Sequence, residues 1–349
     1  MNIILAAYSY IAAIVGAGFA SGQEILSFFV VYGKSGLLGI FLSCIIFSVY
    51  AYVIIEGGRA CSSSDYSSFL KNTAPKGFDK IFSAITLVFL CGVYSAMLAC
   101  IGEMTRLLFG IDPMWGRLIL SFICCILIIS GKEASLRTNA ILGVIIAVGI
   151  ISSAIYMLRY REHQTFFTTL RSGASALAYS GYNLLGAGVV LVGFADKIKS
   201  KAESAAVGIV SGCTLFVMML LVWALLSLYY RYISLGEIPM LTMALRQNTF
   251  VAYVYSVMLV LAILTTAVAS GTGICDMTKN KIPSTKCAIL VMCCGMCISS
   301  AGFSHIINVV YRICGYIGIV INLLIVFICI KRNREKERNK EINRALKTK

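Results

Sequence analysis

The stretch AAIVGAGFASG, residues 12–22, decides the fold because it places many small residues inside a long apolar segment near the amino terminus. Eight of its eleven residues are glycine, alanine or serine. A glycine costs about 1 kcal/mol relative to alanine in a helix interior, so the stretch predicts an interrupted helix. In a bilayer, interrupted backbone is tolerated only where it lines a cavity or is buried in protein. The alternative is close packing between helices through small residues.

The composition around this stretch is that of a membrane protein. Of 349 residues, 59% are hydrophobic and 13% are charged, whereas soluble domains average about 25% charged residues. A helix needs about 20 apolar residues to cross a bilayer, and charged or Gly/Pro/Ser-rich stretches divide the chain into ten apolar segments. These are residues 3–31, 36–56, 80–109, 114–131, 139–158, 172–195, 204–230, 250–275, 284–302 and 306–330. We therefore predict an all-α integral membrane protein with about ten transmembrane helices.

The ten segments fall into two halves, residues 1–158 and 172–330, with five segments each. An odd number of spans per half gives opposite orientations, which is the inverted repeat of many secondary transporters. The second half also opens on a small-residue stretch, SGASALAYSGYNLLGAG at 172–188, in which eleven of seventeen residues are glycine, alanine or serine. One such stretch favours packing, but two at corresponding positions favour a binding site between two broken helices.

The positive charge of the chain predicts its orientation. The net charge is +15, and residues 331–349 form a basic tail with nine Lys/Arg and three Glu. With the amino terminus inside, Lys and Arg favour the inner loops and this tail. We therefore expect both termini on the cytoplasmic side of the cell membrane and the tail against anionic lipid, with no role in binding nucleic acid.

Metal and enzyme chemistry find little support in the sequence. The fourteen cysteines are scattered through apolar segments, and the C-x-x-C pair Cys294 and Cys297 lacks further ligands. Zinc and a disulfide framework are therefore not expected. No nucleophile–base pair appears within the spans, so an enzyme is not expected either, and no cofactor other than a coupling ion is implied.

Two motifs resemble a known family. The stretches IVGAGFASGQE (14–24) and AYSGYN (178–183) resemble the YkvI-type amino-acid permeases of the amino acid–polyamine–organocation superfamily, which share the ten-helix LeuT fold. The resemblance implies that helices 1 and 6 are broken and that the substrate binds between the breaks. The residues that it implies for substrate binding are Gly16, Ala17, Gly18 and Phe19 in the first span, and Tyr179, Ser180, Gly181, Tyr182 and Asn183 in the sixth.

The eighth span carries a candidate sodium site. The sequence AILTT puts Ala262, Thr265 and Thr266 at i, i+3 and i+4, on one face of a helix. Hydroxyl and carbonyl oxygens suit a hard cation, although threonine hydroxyls also bond routinely to their own helix backbone. The resemblance implies that carbonyls of Ala12 and Val15 complete the site. The fifth span contains no lysine that could replace the ion, which favours sodium.

Glu24, with Gln23 beside it, is the candidate coupling or gating group. It lies six residues after Gly18, and an ionisable group within a span is costly enough to suggest a function. It could neutralise a substrate ammonium, pair with a cation or carry a proton. The structural alternative is a pairing with Arg312 or a hydroxyl.

Two further features have open interpretations. By the resemblance, Tyr94 approaches the substrate from the third span and Leu90 lines the pocket one turn earlier, but Tyr94 could equally be a packing residue. Residues 236–248 are too short to span and could form either a lid or a passive loop.

The sequence thus predicts a secondary transporter of a small amino acid or related amphoteric solute, with sodium as the expected coupling ion. The alternatives are a proton-coupled permease that uses Glu24 and a membrane sensor on the same fold that transports nothing. The oligomeric state is not predicted.

Overall fold

The computed structural model describes residues 2–61, 69, 77–130, 148–156, 172–233, 236–278 and 281–347, and all regular structure in these ranges is helical. The α-helices are α1 Asn2–Ile14, α2 Ala17–Ala20, α3 Gln23–Phe28, α4 Ser35–Cys61, α5 Phe78–Phe109, α6 Pro113–Ile129, α7 residues 148–156, α8 Ser172–Val192, α9 Lys201–Leu228, α10 Tyr230–Ile233, α11 Pro239–Gln247, α12 Thr249–Thr278, α13 Ser284–Ser299, α14 Phe303–Ile306 and α15 Arg312–Lys347. A 3₁₀ turn covers Val30–Tyr32 and a π-helix covers Ile307–Tyr311.

Six helical segments within the described ranges are long and apolar enough to cross a membrane. They are Ser35–Cys61, Lys80–Phe109, Ser172–Val192, Lys201–Leu228, Thr249–Thr278 and Phe303–Arg332. Shorter apolar helices cover Asn2–Ile14, Gln23–Tyr32, Pro113–Ile129 and Ser284–Ser299. Most of the predicted fifth span, residues 139–158, lies outside the described residues. The chain is therefore a multi-pass helical membrane protein.

The first apolar segment is interrupted twice within residues 12–22. Helix α1 ends at Ile14, where the amide of Gly16 donates to the carbonyl of Ile14 (3.0 Å) instead of the carbonyl of Ala12. After the short α2, Gly22 takes a left-handed conformation with φ of 82° and α3 begins at Gln23. Glycine adopts such a φ without steric cost. The small residues thus bend the chain and release the carbonyl of Ala12.

Helix α8 does not break, which corrects the prediction for residues 179–183. The helix runs without interruption from Ser172 to Val192. Its small residues allow close packing instead: a methyl group on Gly181 would collide with the backbone of Gly315 and lie 2.6 Å from the amide nitrogen of Ile319 in α15. In this half of the chain, the packing alternative explains the composition.

Contacts among distant parts of the chain define one end of the helix bundle. The side-chain amide of Asn2 donates to the carbonyl of Lys197 (3.2 Å), and the guanidinium of Arg59 donates to the carbonyl of Lys199 (2.6 Å). Cys329, near the end of the last apolar segment, packs against Gly57. The amino terminus, the basic end of α4, the basic residues after α8 and the end of the last apolar segment thus meet at one end, here called the terminal end. Helix α15 continues from there into the basic tail as far as Lys347.

Candidate functional site

A cavity of about 290 Å³ lies at the break between α1 and α2. Its walls come from α1, α2, α3, α5, α8, α12 and the π-helix. The cavity brings together eleven of the residues that the sequence singled out. They are Ala12, Val15, Gly16, Ala17, Gly18, Glu24, Leu90, Tyr182, Asn183, Thr265 and Thr266.

The other predicted site residues lie outside this lining. Phe19 is fully buried in the core, and the side-chain amide of Gln23 donates to the hydroxyl of Ser27 (3.4 Å). Ala262 is buried within α12, and Ser180 is buried within α8, next to Gly181.

Tyr94 and Tyr179 are packing residues in this structure. The ring of Tyr94 packs at Gly295 of α13, where a methyl group would lie 2.5 Å from it, because the glycine leaves room for the ring. Tyr179 lies among Phe28, Phe29 and Phe47, with ring centroids 5.7, 4.9 and 6.0 Å away. Neither tyrosine is among the cavity-lining residues. The approach of Tyr94 to the substrate stays a prediction, while its contact with Gly295 fits the packing alternative.

The sequence reasoning missed two aromatic rings of the cavity wall, Phe89 and Tyr311. Together with Tyr182 they form a group that we call the aromatic cluster. Its ring centroids are 5.7 Å apart for Phe89 and Tyr182, 5.5 Å for Phe89 and Tyr311, and 4.9 Å for Tyr182 and Tyr311. Phe89 could have been found as the neighbour of Leu90. Tyr311 is the last residue of a π-helix, a local widening often seen at functional sites. No pattern in the sequence predicts this π-helix.

Glu24 reaches back from α3 to the break. It is 4% exposed, and its carboxylate contacts Gly18 so closely that a methyl group at residue 18 would collide with Oε1. Oε2 has no hydrogen-bond partner among the described residues. The carboxylate has a hydrogen-bond interaction with the hydroxyl of Tyr182 and an electrostatic interaction with that of Tyr311. The structural alternative of a hydroxyl partner is therefore present.

The proposed structural pairing of Glu24 with Arg312 is not formed. Arg312 instead donates to the carbonyl of Ser27 (3.0 Å) and to the hydroxyl of Tyr32 (3.4 Å), and its guanidinium lies 5.3 Å from the centroid of Phe28. Within the described ranges, ion pairs join Arg59 to Glu56 and Arg106 to Glu103, but none involves Glu24. A buried carboxylate thus lines the cavity without a basic partner there.

The predicted sodium ligands lie on facing walls. The side chain of Thr266 approaches Gly16, where an added methyl carbon would be 3.6 Å from Oγ1. The hydroxyl of Thr265 donates to the carbonyls of Leu261 (2.9 Å) and Ala262 (3.1 Å), which is the routine back-bonding of threonine in a helix. Its oxygen lone pairs can still face a cation, together with the released carbonyl of Ala12.

The cavity is closed away from the terminal end. Tyr255 donates to the carbonyl of Ala20, and the amide of Met240 in α11 donates to the carbonyl of Ser21 (3.0 Å). Beside α11, the carboxylate of Glu237 accepts from the amide of Phe303 (3.0 Å). Burial raises the pKa of Glu237 above its ordinary value of 4.5. Residues 236–248 therefore contain a helix docked over the first span.

The cavity is open toward the terminal end. Ala13, Gly186 and Ala269 line it and are exposed. Gly186 and Ala269 lie in the second halves of α8 and α12, which lead toward that end. Together with the closure at α11, this gives a cavity that is accessible from one side.

Comparisons with curated sequences support the resemblance stated above. No family model matches the chain. Over 322 residues it is 23% identical to the uncharacterized protein YyaD of Bacillus subtilis strain 168, covering 88% of this chain and 91% of the relative. Over 320 residues it is 22% identical to the uncharacterized membrane protein YkvI of the same organism, covering 90% and 92%.

Solved structures agree on the fold. The inward-facing form of Mhp1, a nucleobase-cation-symport-1 family transporter, matches with a TM-score of 0.62 and 14% identity, covering 93% of this chain and 75% of that one. A Na⁺-coupled sialic acid symporter matches with a TM-score of 0.60 and 14% identity, covering 93% and 78%. A manganese transporter of Eremococcus coleocola matches with a TM-score of 0.59 and 13% identity, covering 95% and 78%.

These neighbours are transporters and not enzymes, and they share the LeuT fold. The two curated relatives match nearly the whole chain and carry no assigned activity in their descriptions. The chain thus has the LeuT fold and is similar over nearly its whole length to YkvI and YyaD, in agreement with the resemblance stated from its sequence.

Proposed function

We propose that this protein is a secondary transporter of a small amino acid or related amphoteric solute, working by alternating access. The observation that carries the proposal is the cavity at the break between α1 and α2, which is open toward the terminal end and closed beneath α11. A site in the middle of the bundle that is accessible from one side at a time is what alternating access requires. The fold neighbours, all transporters, support the same conclusion.

The proposed arrangement has ten spans in two inverted halves, residues 1–158 and 172–330, with only the first span of the first half broken. Equivalent helices of the two halves, α4 and α9, pack against one another, which supports this arrangement. The terminal end faces the cytoplasm of the cell in this proposal, and the basic tail 331–349 lies against anionic lipid. The cavity is then open to the cytoplasm.

Sodium is the proposed coupling ion. The support is the meeting of Thr265 and Thr266 with Ala12 and Val15 around one cavity, together with the sodium coupling stated for one fold neighbour. Oxygen ligands of this kind suit a hard cation. Ala262 would support the site from behind, since its carbonyl accepts from Thr265.

Proton coupling is the second candidate. It is favoured by Glu24, a buried carboxylate on the cavity wall for which no ion pair exists among the described residues. A membrane-embedded acid without a fixed partner can take up and release a proton as the cavity changes sides. The two candidates differ in which gradient drives uptake.

The function is tested by reconstitution into proteoliposomes and a screen of labelled amino acids under an imposed sodium or proton gradient. We expect accumulation of at least one amino acid, driven by sodium. Thr265→Ala with Thr266→Ala should lower the sodium dependence while Thr214→Ala, an exposed threonine that also back-bonds to its helix, should not. Accumulation that persists without sodium and follows the proton gradient supports the second candidate. Binding without accumulation would contradict transport and indicate a sensor.

A further inference from the structure

We propose that the cavity binds the ammonium group of its solute at the aromatic cluster, with Glu24 as the counter-ion and the rings of Phe89, Tyr182 and Tyr311 as walls. This inference rests on the proposed function, because it assigns the charged end of the transported solute. It names the substrate class as a primary amine or an amino acid held by its amine.

The charge of the lining carries the first step. Glu24 is the one charged side chain among the described residues that line the cavity, and no lysine, arginine or histidine joins it there. Its carboxylate is buried and Oε2 lacks a hydrogen-bond partner within the part of the chain described. A buried charge is stable where a second charge of opposite sign compensates it. Protonation can neutralise the carboxylate when the cavity is empty, and a cation that enters from the cavity can replace that proton, which favours a positively charged group on the solute.

The aromatic cluster carries the second step. Three rings whose centroids are 4.9 to 5.7 Å apart line the cavity close to the carboxylate. Aromatic faces attract cations, and several faces around one site are a known way to bind ammonium groups. The hydroxyl of Tyr182 is buried and interacts with the carboxylate of Glu24, which places the ring of Tyr182 directly beside the proposed counter-ion. The walls thus place aromatic surface next to a carboxylate, a combination that suits a cation.

The unbroken α8 carries the third step. An ammonium group could otherwise bind to free backbone carbonyls, but those of α8 are engaged. The carbonyl of Tyr179 accepts from the side chain of Asn183 (3.0 Å), and that of Gly181 accepts from Asn322 (3.4 Å). With these carbonyls occupied and the released carbonyl of Ala12 assigned to the proposed sodium site, the negative charge that an ammonium requires comes from Glu24.

The remaining cavity lining indicates the chemical character of the uncharged part of the solute. Leu90, Val93, Met97 and Val190 provide an apolar wall, and the volume is about 290 Å³. Small-molecule sites usually combine such walls with few polar groups that fix the orientation. A branched aliphatic chain beside the ammonium group fits this description.

Three probes that share the (CH₃)₂CH–C unit test the proposal: isobutylamine, valine and isovalerate. Isobutylamine carries only the amine, isovalerate only the carboxylate, and valine both. Titration calorimetry on the purified full-length protein measures their affinities. We expect isobutylamine and valine to bind, because their ammonium groups can pair with Glu24. Isovalerate lacks an ammonium group and should bind at least about tenfold more weakly, which corresponds to about 1.4 kcal/mol of binding free energy.

Variants separate the counter-ion from the rings. Glu24→Gln should weaken isobutylamine binding by about tenfold or more, whereas Glu24→Asp keeps the charge and should retain part of the affinity. Glu103→Gln is the matched control, because Glu103 is buried but paired with Arg106 outside the cavity. Phe89→Leu keeps an apolar side chain without a ring and should weaken isobutylamine by about threefold or more while leaving isovalerate unchanged.

Three results would overturn the ammonium site: no isobutylamine binding at millimolar concentration, isovalerate binding as tight as isobutylamine, or an unchanged affinity in a folded Glu24→Gln variant. The probe series on the unaltered protein decides the matter even if that variant fails to fold. Uptake into proteoliposomes is measured separately. Transport of valine with equal affinity in Glu24→Gln refutes the ammonium site and leaves the transporter standing, whereas amine binding without any uptake refutes transport alone.

Discussion

At the scale of single residues, Gly181 shows how closely α8 and α15 approach. A methyl group there would collide with the carbonyl oxygen of Gly315 and lie 2.6 Å from the amide nitrogen of Ile319. Both are backbone atoms that cannot rotate away. Gly181→Ala should therefore destabilise the protein by about 1–3 kcal/mol, as overpacking in a tight core does. The measurement is the midpoint of thermal unfolding of the purified protein.

Gly173→Ala is the control for this prediction. Gly173 lies in the same helix, and a methyl group there would meet no atom within 4 Å. Alanine favours a helix over glycine, so this variant should unfold at the same or a slightly higher temperature. Equal midpoints for Gly181→Ala and the unchanged protein would show that α15 moves aside.

The glycines also show how far the sequence predicts the site. The stretches at 12–22 and 172–188 have similar compositions, yet one interrupts the chain and the other packs. The difference lies in the neighbours of the two glycines. A methyl group on Gly16 would lie 3.6 Å from the side-chain oxygen of Thr266 beside a cavity, whereas one on Gly181 would collide with the backbone of α15. A sequence gives the small residue but not its neighbour across the bundle. For the same reason, the sequence predicted neither Tyr311 in the cavity wall nor the packing of Tyr94 against Gly295.

At the scale of elements, α11 is held by a contact that depends on pH. Glu237 accepts from the amide of Phe303 and lies near Glu103, Arg106 and Arg117. Burial raises its pKa in the docked form, so the docked form binds a proton more readily than the undocked form. Docking should therefore strengthen as the pH falls and weaken as the pH rises through that pKa.

Hydrogen exchange at the amide of Phe303 measures this docking. After correction for the intrinsic effect of pH, we expect greater protection at about pH 5 than at about pH 7.5. In Glu237→Gln the side chain stays neutral, so the protection should lose this pH dependence. Protection that rises with pH in the unchanged protein would reverse the sign and show that the charged carboxylate is the form that holds α11.

The elements themselves were largely predictable because hydrophobic length marks a membrane helix. The structure places helices within nine predicted segments, from 3–31 to 306–330, and residues 148–156 of the fifth are also helical. The predicted third segment, 80–109, ends at the same residue as α5. The π-helix at Ile307–Tyr311 was not predictable, since it depends on packing against other helices rather than on local composition.

At the scale of the whole molecule, the open side of the cavity predicts from which side of the membrane a reagent can reach it. Ala269 lines the cavity and is exposed, while Phe28 and Tyr179 at the closed side are fully buried. A cysteine placed at Ala269 should therefore react with a membrane-impermeant maleimide added on the side of the terminal end. It should stay unreactive when the reagent is added on the other side.

The matched control is Ser300→Cys, since Ser300 is exposed near Gly302, which contacts Glu237 at the closed end. It should react from the side opposite to Ala269→Cys. Cys213, Cys293, Cys294 and Cys297 are also exposed, so labelling is read for each peptide by mass spectrometry in sealed, oriented vesicles. If both introduced cysteines reacted from the same side, the cavity would not be separated from the α11 end, and the alternating-access interpretation of this conformation would fail.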